Sequence, residues 1–530
     1  MPLRPRSDSS GQREMGADWI GYHPERVATL ARLTGEAISF LDETRSSDPV
    51  VQSAMLTLTE ISHALSTTWV PLLVRIGADS SLLAWASRPP GPMGWTATQI
   101  AGVAAVLVPP VAGGADAVAT WWGGLTDADR AELIDERPHL IGNTDGIPAE
   151  SRNAANRIQM AADLGALELK ESVGTITLAE AQVLANIRRA QAALASNDGH
   201  ADPITDDAVG GQLYIYDPTA FGGDGRIAIA LGELDTAEHV AVTVSGLGSD
   251  ASTLGSGQSQ AIYFEARHAS GDSVAVLNWT GYDAPTFRLT GSTAPNMFDE
   301  GVDVAGVVNQ GAARAGAALL AADVAGINAM RAGNNPHLTV VGNSYGSTVA
   351  AIAADENDLE ADDLVLTGSP GAGDADTAAD FTTGTEHTWA GSASSDLVTY
   401  LGEQPGWEPQ DAMADLVPGV EQLGDDPSEE SFNAQRFHAE SIGRDGGDAP
   451  GNTDDHGYYF EADSESLFNV GAIVGGEYDL VVAAEHRNQQ PFFEPELDWD
   501  WTPFGDVHPF PDDPEADRAP TSMTHRVPEL

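Results

Sequence analysis

At 530 residues, with 42% apolar side chains and no cysteine, the chain can form more than one folded unit. The lack of cysteine excludes disulfides, thiolate nucleophiles and cysteine-ligated metal centres. Eighty acidic residues against 25 basic ones give a formal charge of −55, with Lys170 the sole lysine, so neither nucleic acid nor an anionic membrane surface is expected as a partner, and the interrupted apolar stretch from Thr96 to Trp122 argues against stable membrane insertion.

No continuous apolar run occupies the start of the chain, so no Sec signal peptide is expected and the chain reads as cytoplasmic. Residues 1–95 read as a helical hairpin region. Val27, Leu30, Thr34, Ala37 and Leu41 form a 3-4 seam behind Pro24. Ala54, Leu58, Ile61 and Leu65 form a second stripe, which Pro71 disturbs. Residues 96–205 read as a helical region leading into the core. Its most apolar stretch, Thr96 to Trp122, is interrupted by Pro109 and Pro110 and charged at Asp116, so it reads as a buried hairpin. Thr126 and Asp129 have capping-box spacing, Pro138 closes that helix, and further helices are expected from Ala149 and through "TLAEAQVLANIRRAQAALA".

Past the polar break at residues 197–208 the periodicity changes. "GQLYIYDP" and "GRIAIALG" predict a hairpin, and "HVAVTVSG" and "DSVAVLNW" predict strands buried on both faces. An Ala-rich helix from about Ala305 to Ala332 precedes the strand "HLTVVG". A helix from Gly346 and the strands "DLVLTGSPG" and "EHTWAG" follow, with "NAQRF" a candidate last strand. Strands alternating with helices predict a mostly parallel α/β sheet over residues 206–484, with active residues at the C-terminal strand ends. Residues 485–530, rich in acid and proline, are expected to be an extended or disordered tail.

Gly342-Asn343-Ser344-Tyr345-Gly346 has the G-x-S-x-G form between a β-run and a helix. A tight strand-to-helix turn there lifts the Ser344 hydroxyl above the sheet, and the glycines relieve the crowding. Ser344 is therefore the candidate nucleophile. Sheet enzymes with this turn carry the acid and then the histidine downstream. His456, in the loop "GNTDDHGYYF", is the candidate base, ahead of His387 in a strand, His438 after one and His508 in the tail. Asp396, just past the strand at Glu386–Gly391, is the candidate orienting acid, with Asp374 and Asp376 as alternatives. The N–H of Tyr345 is one candidate oxyanion donor. The other comes from "VSGLGSD", Leu247 first and Gly248 second. Trp279 and Tyr282 in "NWTGYDAP" are candidate walls of a substrate pocket or, equally, a cap on the core. No metal or cofactor motif is present, so no cofactor is implied.

Taken in order, "HVAVTVSGLGS", "LNWTGYDAP", "LTVVGNSYGSTVA", "LVLTGSPGAG" and "DDHGYYF" resemble the DUF1023 alpha/beta hydrolases of actinobacteria. "RPHLIGNTDGIPAESRNAANR" is similar to the segment ahead of their core, so the likeness spans about residues 120–475. It implies an α/β-hydrolase domain with Ser344 as nucleophile and His456 as base, preceded by an all-α region. Asn343 stands where the usual motif, G-H-S-Y-G, has histidine. The expected activity is a serine hydrolase cleaving an ester, lipid or other acyl, through an acyl-enzyme. The N-terminal helical pair resembles WXG100-like hairpins, although Trp19-x-Gly21 precedes its first helix. That likeness gives the alternative expectation: export by a type VII secretion system, with a protein partner for these helices.

Overall fold

The computed structural model describes residues 109–110, 113–255, 257–285, 310–331, 333–394, 396, 398–399, 423–441, 454–487, 513–516 and 518–525. The N-terminal helical hairpin, the WXG100-like segment, His508 and most of the Thr96–Trp122 stretch lie outside these residues. Eight strands form one sheet in the order β1-β2-β4-β3-β5-β6-β7-β8. They are β1 Gly211–Asp217, β2 Arg226–Leu231, β3 His239–Val244, β4 Val274–Thr280, β5 His337–Asn343, β6 Asp363–Thr367, β7 Thr388–Gly391 and β8 Gln435–Phe437. β1 pairs antiparallel with β2, and β2 antiparallel with β4. From β4 across to β8 every pairing is parallel. β3 lies between β4 and β5, so the loops leaving β3 and β5 emerge side by side where the strand order reverses. That is the place where such sheets bind ligands.

Eight helices of ten residues or more accompany the sheet among the described residues, besides the single turn Pro138–Ile141: α1 Gly114–Gly123, α2 Asp127–Glu136, α3 Ala149–Ser172, α4 Leu178–Asp198, α5 Gln258–Ser270, α6 Gln310–Met330, α7 Tyr345–Glu356 and α8 Glu465–Val474. α2 starts at the capping box of Thr126 and Asp129, and α4 at a second one, Thr177 with Glu180. Along β2 the side chains alternate: Ala228 and Ala230 enter the core under α6 and α7, whereas Ile227 and Ile229 meet residues of α3 and α4. α5 and α8 cover the opposite face through Ile262, Ala266, Val470 and Ile473. α7 is buried from Tyr345 to Ala354, and its alanines allow close approach to the sheet.

Two boundaries differ from the sequence expectation. α1 to α4 belong to the same compact unit as the sheet, Pro110–Leu530, rather than to a separate leader. The apolar stripes of α3 and α4 are completed by β1 and β2, which makes the polar break near residue 200 a surface loop. The described part of the tail is packed rather than disordered. Asp513 is buried and receives Arg436 at 2.8 Å and Arg487 at 2.8 Å. Arg518 joins Glu465 at 2.5 Å and Glu515 at 2.7 Å. Acidic composition gave no warning of this because the pairing of Asp513 with Arg436 of the body and with Arg487 is made only by the fold.

Candidate active site

Ser344 sits between β5 and α7 with φ 55° and ψ −133°, a conformation that strains any residue with a side chain. The surroundings impose it. The Ser344 N–H donates to Thr367 O at 2.9 Å, tying the turn to the end of β6. Ser347 Oγ donates to Ser344 O at 2.5 Å. Gly346 lies so close to β3 that a Cβ there would stand 2.2 Å from Val244 O. Asn343 accepts from Thr367 Oγ1 at 3.1 Å, a contact an amide makes at this position.

Gly368, next after Thr367, has φ +55°, and a Cβ on it would lie 3.1 Å from His456 Cε1 and 3.2 Å from Asp396 Oδ2. The imidazole and the carboxylate thus occupy space that only glycine leaves open, one residue from the peptide that holds Ser344. His456 Nδ1 and Asp396 Oδ2 are 2.8 Å apart. Among the described residues no hydrogen bond joins Ser344 Oγ to His456. Catalytic hydrogen bonds in ligand-free sites often tighten only with substrate bound.

Asp396 is fully buried, and its carboxylate accepts from His456, from Tyr459 Oη at 2.7 Å and from Val398 N at 2.9 Å. Burial opposes ionisation, yet the His456 charge and these donors outweigh it and hold the carboxyl below its ordinary range. For His456 burial favours the neutral ring, but Asp396 prevails and raises its pKa above the ordinary imidazole value. Tyr459 also accepts from Ala393 N at 3.0 Å, so one hydroxyl joins the loop after β7 to its acid. Tyr459 stood in the motif "DDHGYYF", but nothing in the sequence marked its hydroxyl.

The β3 loop passes directly over the nucleophile: a Cβ on Gly246 would lie 2.7 Å from Ser344 Cβ. Gly248 N is occupied by Pro285 O at 2.9 Å, which counts against it as the second oxyanion donor. Tyr345 is the first residue of α7, so its N–H lies at the helix's N-terminal end, where N–H groups point out of the helix.

Trp279 and Tyr282 correct the expectation of pocket walls, since both are core residues. Trp279 is fully buried, and its Nε1 donates to Asp323 Oδ2 at 2.7 Å. The Tyr282 ring lies between those of Trp279 and Tyr345, with centroids at 5.9 and 6.4 Å. Its hydroxyl donates to Ser245 O at 2.8 Å, so Tyr282 braces the β3 loop from beneath. The other histidines and acids weighed from sequence lie elsewhere. His387 and His337 converge on buried Asp363 at the N-terminal strand ends, 2.9 and 2.7 Å away. Asp374 is exposed beside Arg314. His438, Glu465 and Glu515 bring ligand atoms within 4.8 Å of one another. Arg518 already supplies a cation to both glutamates there.

Residues 220–405 match the family model described as "Alpha/beta hydrolase". With the mostly parallel eight-stranded sheet and the strained turn at its C-terminal edge, this decides the architecture. The chain has the α/β-hydrolase fold. An uncharacterized protein of Mycobacterium tuberculosis strain H37Rv is 33% identical over 447 residues, 79% of this chain and 65% of its own length. The chain therefore spans about two thirds of that relative. A second uncharacterized protein of that strain is 31% identical over 172 residues, 31% of this chain and 58% of its own length. A solved carboxyl esterase from Tuber melanosporum overlays 55% of this α/β-hydrolase chain and 98% of its own, at 11% identity and TM-score 0.24. Among the described residues no helix is long and apolar enough to cross a membrane.

Proposed function

We propose that this chain is a serine hydrolase that cleaves a carboxylic ester through an acyl-enzyme. Ser344 Oγ attacks the acyl carbon while His456 Nε2 accepts its proton, and Asp396 orients the ring and stabilises the imidazolium. The N–H groups of Tyr345 and Leu247 donate to the tetrahedral oxyanion. His456 then protonates the departing alcohol, and water enters by the reverse of these steps. The substrate is a small-molecule or lipid acyl ester. The observation that carries the reading is the strained Ser344 turn beside a hydrogen-bonded His456–Asp396 pair, all three meeting around Thr367-Gly368.

The purified chain is expected to react with a fluorophosphonate probe and to hydrolyse p-nitrophenyl acetate. Ser344→Ala should abolish labelling and lower kcat by at least about 1,000-fold. Undiminished labelling of that variant would overturn the assignment.

A further inference from the structure

The stretch that leaves β4, Thr280 to Pro285, grips the β3 loop through both kinds of backbone group. The Tyr282 hydroxyl donates to Ser245 O at 2.8 Å and, more weakly, to Gly246 O at 3.3 Å. Three residues on, Pro285 O accepts from Gly248 N at 2.9 Å. Gly246 O also accepts from Ser249 N at 3.3 Å, which closes a turn in which Gly248 has φ +69°. Tyr282 itself has little freedom. Its ring is stacked between those of Trp279 and Tyr345, and a Cβ on Gly316 of α6 would lie 2.9 Å from Tyr282 Cβ. Burial raises the pKa of its hydroxyl, which therefore keeps its proton and remains a donor.

The direction of one peptide follows from these contacts. The Gly246–Leu247 peptide is trans and planar, so its C=O and N–H point to opposite sides of the chain. Gly246 O is turned toward the Tyr282 hydroxyl, in the core, and the Leu247 N–H is accordingly turned away from the core. Among the described residues that N–H has no acceptor. The same loop lies over the nucleophile, since a Cβ on Gly246 would stand 3.0 Å from Ser344 Oγ. A flipped peptide would present its carbonyl there instead and repel a developing negative charge.

Given the ester-hydrolase reading, on which this step rests, we propose that Tyr282 is the positioning residue of the oxyanion hole. Its hydroxyl holds the Gly246–Leu247 peptide with the N–H toward the reacting carbonyl, without itself touching the substrate.

The test compares the full-length wild type with Tyr282→Phe, which keeps the ring between Trp279 and Tyr345 and deletes one oxygen. Turnover of p-nitrophenyl acetate is counted per site titrated to completion with the fluorophosphonate, so unfolded chains do not enter the rate. The variant's kcat is expected to fall about 30-fold, short of the roughly 100-fold or more that loss of a whole oxyanion donor costs, with KM changed by less than about twofold. Trifluoroacetone gives the second readout. Ser344 Oγ adds to its carbonyl carbon, the hydroxyl proton passes to His456, and the carbonyl π electrons become an oxyanion in the same hole. Its inhibition constant should rise by about the factor lost in kcat/KM, because both report the tetrahedral state. A kcat within about threefold of an active wild type would overturn the role of Tyr282 and leave the ester-hydrolase reading standing. So would a lower kcat with trifluoroacetone inhibition unchanged, which would assign the hydroxyl to packing alone. A wild-type chain that neither labels nor turns over would instead overturn the ester-hydrolase reading, and the role of Tyr282 with it.

Discussion

At Asp396 three donors meet one buried carboxylate, and only one of them, His456, belongs to the proposed proton relay. The Tyr459 hydroxyl shares the same oxygen and so competes with the imidazole for its charge. Two consequences follow for the pH dependence of hydrolysis. His456 must be neutral to act as base, and Asp396 holds its pKa above the ordinary value, so the rate should climb only above about pH 6.5. In Tyr459→Phe the carboxylate loses a donor and acts more strongly on the imidazolium, so the midpoint of that limb should move further up. The plateau kcat should fall about fivefold. Stability should drop by about 2 kcal/mol, because Ala393 N is left buried without its acceptor. A pH–rate profile beside urea unfolding separates the two effects. A midpoint that falls would mean that Tyr459 mainly keeps Asp396 in place, whereas a purely structural residue would leave the midpoint unmoved.

The β5–α7 turn works as a unit because β3, β5 and β6 all press on it. Gly346→Ala would bring a methyl group to 2.2 Å from Val244 O and 2.7 Å from Ser245 O, backbone atoms that cannot yield without moving β3. About 3 kcal/mol of destabilisation is expected, together with at least a 100-fold slower fluorophosphonate reaction, since small displacements at a nucleophile are costly. Urea titration and labelling kinetics read the two, and labelling at the wild-type rate would show that the turn tolerates displacement. Much at this scale was legible in the sequence. Continuous β-branched runs mark β3 and β4, Thr126 and Asp129 mark a helix start, and chain order singles out Asp396 and His456, which the fold joins at 2.8 Å. What stayed hidden depends on partners distant in sequence. Trp279 after a strand reads equally as pocket wall or core until α6 delivers Asp323 beneath it. Tyr282 becomes a brace only when the carbonyls of Ser245 and Gly246 arrive above its hydroxyl.

Across the whole molecule, the C-terminal segment connects to the acid loop through buried charge. Arg436 donates to Ser392 O at 3.0 Å, and Arg487 donates to Ala393 O at 3.3 Å, the stretch that leads into Asp396. Both guanidinium groups are buried, and Asp513 supplies carboxylate to each. Removing that charge should cost far more than making the pair gains, because Arg436 loses its carboxylate in a dry interior and Arg487 keeps only Asp426, at 2.8 Å. Asp513→Asn is therefore expected to lose about 3–5 kcal/mol at neutral pH and to label slowly at Ser344, as the loop bearing Asp396 loosens. The pH dependence supplies an internal control. Burial opposes the Asp513 charge, but Arg487 and Arg436 hold its carboxyl down at about 2. A lowered folded pKa gives stability that is present above the unfolded carboxylate value of about 3.9 and is lost as pH falls through the folded one. The gap between wild type and variant should accordingly be widest near neutrality and narrow from about pH 4 toward pH 2, as the wild-type carboxyl takes up its proton. Urea unfolding at pH 7 and pH 3 measures it, and a gap that stays constant over that interval would mean that packing, rather than charge, fastens this segment to the body.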